Sequence, residues 1–251
     1  MLSFMLSQVM ADDKEAIADA VYGARLNEKF TLHEPTYFVF GDDDLKLQFS
    51  MRYRLSKSYN LYFAFTQLMF WSIYEDSKPF REVNYRPEVF YRFISKENKV
   101  LRSVDVGYYH HSNGRDRDAS RSLDQLFLRT SFVTNYHNQL LGSIVKLQKI
   151  FNEDSTNKDI SNHLGFWELT AFYSGLVSID GKNVGIRLRT FAGSKVYDLD
   201  KGGYEVGLVY NLDSSDFNPM LYLQRYEGYG ETLLDYNKRR TEYRLGLMLA
   251  Y

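Results

Sequence analysis

Residues 110 to 115, His-His-Ser-Asn-Gly-Arg, bring together the side chains that acyl transfer needs: an imidazole, a hydroxyl and, within the same short stretch, a glycine. A serine becomes a nucleophile when a ring nitrogen can take its proton, and the ring is held ready when an acid binds its other nitrogen. Read as a β-strand, residues 101 to 113 place His110 and Ser112 on one face with Val104, Val106 and Tyr108, while His111 points to the other face. The following strand carries Asp124 on the face marked by Leu126, Leu128 and Phe132, so a hairpin between the two could set Asp124 beside His110. A second reading of the same three residues puts them at the watery rim of the sheet, where polar groups cost little and do nothing.

Between the two strands runs Asn113-Gly114-Arg115-Asp116-Arg117-Asp118-Ala119-Ser120. Its carboxylates, hydroxyl and carbonyls suit a hard cation such as calcium, and the Gly114 amide can approach an oxyanion closely. Taken alone, the stretch also reads as a solvated charged loop.

These residues need elements to position them, and the composition says which. The chain has 21 tyrosines and 18 phenylalanines against 4 prolines, a balance that favours strands. Period-two alternation is plain from Leu45 to Leu55, where Leu45, Leu47, Phe49, Met51, Tyr53 and Leu55 oppose Lys46, Gln48, Ser50, Arg52 and Arg54. It recurs from 59 to 71 and near 84–94, 101–113, 122–133, 139–151, 162–173, 183–192, 203–211 and 219–227. The last alternating run puts Tyr243, Leu245, Leu247, Leu249 and Tyr251 on one face. Turn-forming stretches separate the runs: Asn152 to Asn157, Asp180-Gly181-Lys182-Asn183, Lys201-Gly202-Gly203 and Asp213 to Asn218.

The expected fold is all-β, a transmembrane antiparallel β-barrel of about 12 strands at roughly 18 residues per strand and connection. Residues 31–251 form the barrel; residues 1–30 read as an export-signal remnant and leader, with Val9-Met10-Ala11 loosely resembling a cleavage site. No apolar run is long enough for a spanning helix, which leaves strands as the route across lipid. A soluble barrel would turn the Leu45 face inward; the aromatics near strand ends, Tyr53, Tyr59, Trp71, Tyr91 and Tyr108, favour the membrane form. A formal charge of −1 gives no footprint for nucleic acid. With no cysteine there is no disulfide and no thiolate metal site.

The run GYYHHSNGRDRDASRS, residues 107 to 122, resembles the signature of the outer-membrane phospholipase A family, an H-x-SNGR core followed by SRS. SKPFREVNYRPE at 77 to 88, GYGETLLDYN at 228 to 237 and, more weakly, HEPTYFVF at 33 to 40 are similar to the same family, in the same order. The resemblance implies a twelve-stranded barrel with its reactive groups on the outer, lipid-facing wall. It implies Ser112 as nucleophile and His110 as base, with the third position, usually asparagine, falling on Asp124. It further implies an oxyanion amide at Gly114, and calcium held by the Arg115 carbonyl, the Ser120 hydroxyl and the carbonyl of Ser77 of the partner subunit. Gln67, the polar intruder on an apolar strand face, maps to a contact across a homodimer, and an amide in lipid should indeed seek a partner. An interfacial position is the other reading of Gln67.

The functional expectation is therefore a calcium-dependent hydrolase of the bacterial outer membrane, active as a dimer, that cleaves acyl esters of phospholipids and lysophospholipids by a Ser-His-Asp mechanism. Its rivals are a non-enzymatic barrel, either a small pore or a structural protein, and a soluble lipid-carrying barrel.

Overall fold

A computed structural model of the chain describes residues 30–56, 58–95, 100–198, 200–212 and 219–249. The leader expected before Phe30, the turn at Asp213 to Asn218 and the terminal Tyr251 lie outside the described residues.

Among the described residues, thirteen strand segments form one antiparallel sheet that closes on itself. They are β1 (Phe30–Leu32), β2 (Thr36–Phe40), β3 (Leu45–Arg54), β4 (Leu61–Trp71), β5 (Phe80–Ile94), β6 (Leu101–Ser112), β7 (Ser122–Tyr136), β8 (Gln139–Phe151), β9 (Trp167–Ile179), β10 (Lys182–Phe191), β11 (Gly203–Asn211), β12 (Pro219–Gly228) and β13 (Arg240–Leu249). The segments β1 and β2 both pair with β3, one with Met51 to Tyr53 and the other with Leu45 to Gln48, so they are two pieces of a single wall strand. The wall is thus the expected twelve-stranded closed barrel. Pro35, which has no N–H to give a ladder, sits in the break, and its carbonyl accepts from Gln48 Nε2 at 2.7 Å. The seam forms where β2 meets β13, from Thr36↔Leu249 to Phe40↔Leu245.

The alternation is resolved in the membrane sense. On β3 the Lys46, Gln48, Ser50 and Arg52 side chains are buried, while Phe49 and Met51 face out. Many of the charges inside the lumen are paired, which offsets the cost of burying them. Arg92 chelates Asp105 at 2.7 and 2.8 Å. Lys46 reaches across to Glu231 at 3.2 Å and Glu205 at 3.7 Å, and Arg244 binds Asp44 at 3.0 Å and Glu231 at 2.6 Å. These cross-lumen ties tell against an open pore. Outside, Phe49, Phe63, Val89, Phe93, Val106, Leu126 and Leu128 present the apolar band that lipid requires.

The two ends differ. At one end His137-Asn138 and Asp180-Gly181, each with both residues at positive φ, make two-residue hairpins whose twist matches the strands. At the other end are the longer connections, including 72–79, 113–121, 152–166 and 229–239.

One strand boundary departs from the alternation. Residues 162–173 read as a single strand, but β9 begins at Trp167 and is preceded by a helical turn at Ser161–Leu164. The apolar residues there serve a different purpose. Ile160 and Leu164 pack with Leu233 and Tyr236 of another long connection against Leu123 of β7. Gly165, at φ 62°, turns the chain back to the wall.

Candidate active site

The site lies where β6 ends and β7 begins. On β6 the odd residues Tyr109 and His111 are buried in the lumen, whereas Val106 and Tyr108 face out. His110 and Ser112 share that outer face, as the alternation requires. The β6–β7 register pairs His110 with Asp124 and Ser112 with Ser122. Neighbouring Cα atoms in such a ladder are about 5 Å apart, close enough for direct side-chain contact. His110 Nδ1 duly lies 2.7 Å from Asp124 Oδ1. With the carboxylate as acceptor, Nδ1–H donates and Nε2 is left as a proton acceptor on the same face as the Ser112 hydroxyl. Ser112 Oγ itself makes no hydrogen bond to His110 among the described residues.

Asp124 is tightly held, with only 6% of its surface exposed. Tyr108 Oη donates to the same Oδ1 at 2.6 Å, and Asn152 Nδ2 donates to Oδ2 at 2.6 Å. Three donors on one carboxylate offset the cost of keeping it charged on a lipid-facing wall. Neither Tyr108 nor Asn152 stands out as a partner in the sequence. The signal for Asn152 exists, however. A tight turn at His137-Asn138 sets Asp124 opposite Phe151, so Asn152 must follow directly beside the acid.

The loop after Ser112 is fixed by Asn113. Its Oδ1 accepts from the backbone N–H of Arg115 at 3.3 Å and of Arg121 at 3.0 Å, and its Nδ2 donates to the Ala119 carbonyl at 2.8 Å. One buried amide thereby ties the two ends of a loop that holds Gly114, Arg115 and Ser120. Gly114 has φ 62°, and a Cβ there would come within 2.8 Å of the Tyr85 ring, so the position requires glycine. Its N–H has no protein acceptor among the described residues.

Ser120 Oγ donates to Asp154 Oδ2 at 3.0 Å, which brings a carboxylate of the β8–β9 connection to the loop. The Asp154 carboxyl is held below the ordinary range by the Thr156 N–H and hydroxyl. Asp154 is a further residue that the sequence reading did not single out. The hydroxyl of Ser120, the carboxylate of Asp154 and the main-chain carbonyl of Arg115 offer the all-oxygen set that hard cations take. Among the described residues no three His, Asp or Glu side chains converge to hold a metal, so any site here relies on hydroxyl and carbonyl oxygens.

Ser77 sits in the exposed β4–β5 connection at the same end of the barrel. Gln67 faces outward from the middle of β4, between Phe49 and Tyr85 on the neighbouring strands, and its Nε2 contacts Met69 Sδ at 3.6 Å.

Known proteins share both the sequence and this architecture. The sequence profile described as Phospholipase A1 matches residues 13–249. The phospholipase A1 of Escherichia coli (strain K12) is 32% identical over 217 residues, covering 82% of this chain and 70% of that protein. The Klebsiella pneumoniae phospholipase A1 is 30% identical over the same spans. Among solved structures, outer membrane phospholipase A from Escherichia coli superposes with a TM-score of 0.74 at 27% identity, covering 90% of this chain and 94% of that one. The Salmonella typhi outer membrane phospholipase, solved as a dimer with bound calcium, gives a TM-score of 0.74 at 26% identity with the same coverage. On this combination of profile, relatives and barrel, the chain belongs to the phospholipase A1 family and is a phospholipid-hydrolysing enzyme of the bacterial outer membrane.

Proposed function

We propose that the enzyme cleaves acyl esters of phospholipids and lysophospholipids with Ser112, His110 and Asp124 as its working residues, that it depends on calcium, and that it acts as a homodimer. The observation that carries the reading is the His110–Asp124 contact of 2.7 Å on the lipid-facing wall, with Ser112 on the same face. Ionisable groups on such a wall are costly, and a paired set beside a hydroxyl has a use that a pore or structural barrel would lack.

In this mechanism Ser112 Oγ attacks the ester carbonyl carbon and His110 Nε2 takes the hydroxyl proton. Asp124 stabilises the imidazolium through Nδ1–H. His110 then returns the proton to the departing lysolipid or glycerol oxygen as the C–O bond breaks. A water molecule, deprotonated by the same nitrogen, releases the fatty acid from the serine. The Gly114 N–H is the main-chain donor placed for the oxyanion, since it has no other acceptor among the described residues.

The residues fit calcium by their donor chemistry: the Ser120 hydroxyl, the Arg115 carbonyl and the nearby Asp154 carboxylate, completed by the carbonyl of Ser77 of the partner subunit. When bound, calcium supplies positive charge near the developing oxyanion. Because Ser77 would come from a second subunit, the dimer and the complete site form together. The calcium-bound dimer of the Salmonella typhi relative supports this reading, and so does the mid-wall Gln67.

The deciding experiment is fatty-acid release from phospholipid in detergent micelles, with calcium and with chelator, for the parent protein and Ser112→Ala. The variant should run as a folded barrel on a heat-modifiability gel and release no fatty acid. Full turnover in Ser112→Ala would remove the serine from the reaction.

A further inference from the structure

We propose that Lys149 and the apolar groove beneath it form a substrate subsite in which the lysine ammonium pairs with the phosphodiester of the phospholipid being cleaved. This rests on the outer-wall assignment of Ser112 and His110 above.

Lys149 is on β8, two residues before the strand ends at Phe151, and its side chain is exposed on the outer wall. The ladders fix its place. Tyr108, Leu126 and Lys149 form one rung across β6, β7 and β8, while His110, Asp124 and Phe151 form the next rung toward the aqueous end. One such step is about 7 Å along the strand, and the lateral offset from β6 to β8 is about 10 Å. A lysine stem that rises along the wall toward water, as snorkelling lysines do, brings its Nζ to the level of the His110–Asp124 pair. The ammonium then stands one rung short of the Ser112↔Ser122 rung, within reach of the head-group region of a lipid whose ester lies at Ser112.

The surroundings leave the charge for a ligand. Lys149 makes no ion pair or hydrogen bond among the described residues. Arg225, another cation on the outer wall, is instead paired with Glu227. An ammonium held at the level of the lipid head groups and not committed to a protein carboxylate is free to meet an anion there. Next to it, Val106, Leu126, Leu147 and Phe166 line a shallow apolar groove with Lys149 at its edge. An acyl chain lying in that groove and a phosphodiester at Lys149 would belong to one lipid whose ester reaches Ser112. The substrate class is already fixed by the enzyme's activity, and the lysine adds the charge complement for its one constant anion.

The test compares two substrates in the same uncharged detergent micelles: a phospholipid, and a neutral acyl ester that lacks phosphate. Lys149→Met and Lys149→Glu are assayed beside the parent, with Lys149→Arg as the conservative variant and gel migration as the check of folding. We expect kcat/KM for the phospholipid to fall about tenfold relative to the neutral ester in Lys149→Met, through KM, as loss of one charge-assisted contact implies. Lys149→Glu should fall further and Lys149→Arg should recover the ratio. An unchanged ratio overturns the proposal, whether both substrates decline equally or neither declines. Ser112→Ala run on both substrates keeps the two questions apart: activity surviving in it would refute the catalytic assignment, whatever Lys149 does.

Discussion

Asn152 Nδ2 donates a 2.6 Å hydrogen bond to Asp124 Oδ2, on the side of the carboxylate away from His110. The acid is therefore clamped between its imidazole and an amide from the next hairpin, and an amide can turn over. If Asp124 becomes asparagine, its oxygen can keep the contacts to His110 and Tyr108, and Asn152 can flip to offer its carbonyl to the new NH2. Asp124→Asn should retain substantial activity, and Asp124→Ala should lose most of it. Initial rates on phospholipid micelles decide the matter; equal rates in all three proteins would show that Asp124 does not support the imidazole.

In the proposed mechanism Tyr108 positions Asp124 and does not itself react. Its hydroxyl shares Asp124 Oδ1 with His110 Nδ1, at 2.6 and 2.7 Å. Removing a hydrogen bond to a charged group costs about 1.5–3 kcal/mol, which is about tenfold or more if it is felt in the transition state. Tyr108→Phe should lower kcat by about that factor with little change in KM. A variant that alters only KM would assign the tyrosine to substrate binding instead.

Asn113 holds the oxygen-bearing loop through three hydrogen bonds. Asn113→Ala removes all of them and leaves buried backbone groups to find other partners. The expected result is a calcium requirement shifted upward, with part of the lost rate recovered at high calcium. A calcium titration in chelator-buffered micelles reads this directly. If the half-saturating calcium stays where it was, the loop does not depend on Asn113.

Gln67 projects into lipid from mid-wall with only a weak contact to Met69 Sδ. Hydrogen bonds between membrane segments contribute on the order of 0.6–2 kcal/mol, so Gln67→Leu should weaken dimerisation about threefold or more. Sedimentation equilibrium in detergent with calcium present measures it. An unaltered dimer would place the contact elsewhere on the wall.

Much of this molecule can be read from alternation alone. Lys46 and Arg52 against Phe49 and Met51 declare a wall with a polar inside, and the parity of β6 separates His110 from His111 before any coordinates are known. What the alternation misses is contact between distant segments. Asn152, Asp154 and Asn113 act through loops, where no period marks them, and they become visible only when β8 is set against β7 and the loops fold together. The misplaced start of β9 has the same origin: Ile160 and Leu164 are apolar because they pack against Leu123, Leu233 and Tyr236, not because they face lipid.

The cylinder is sealed by five residue pairs between β2 and β13. No earlier part of the wall can substitute for that join, because the other strands pair with their neighbours in sequence once β1 and β2 are taken as one wall strand. An incomplete polypeptide would therefore hold a curled sheet with two bare edges, the form most open to pairing with another chain. Closure must await β13, and this sequence-distant contact is also entropically costly to find.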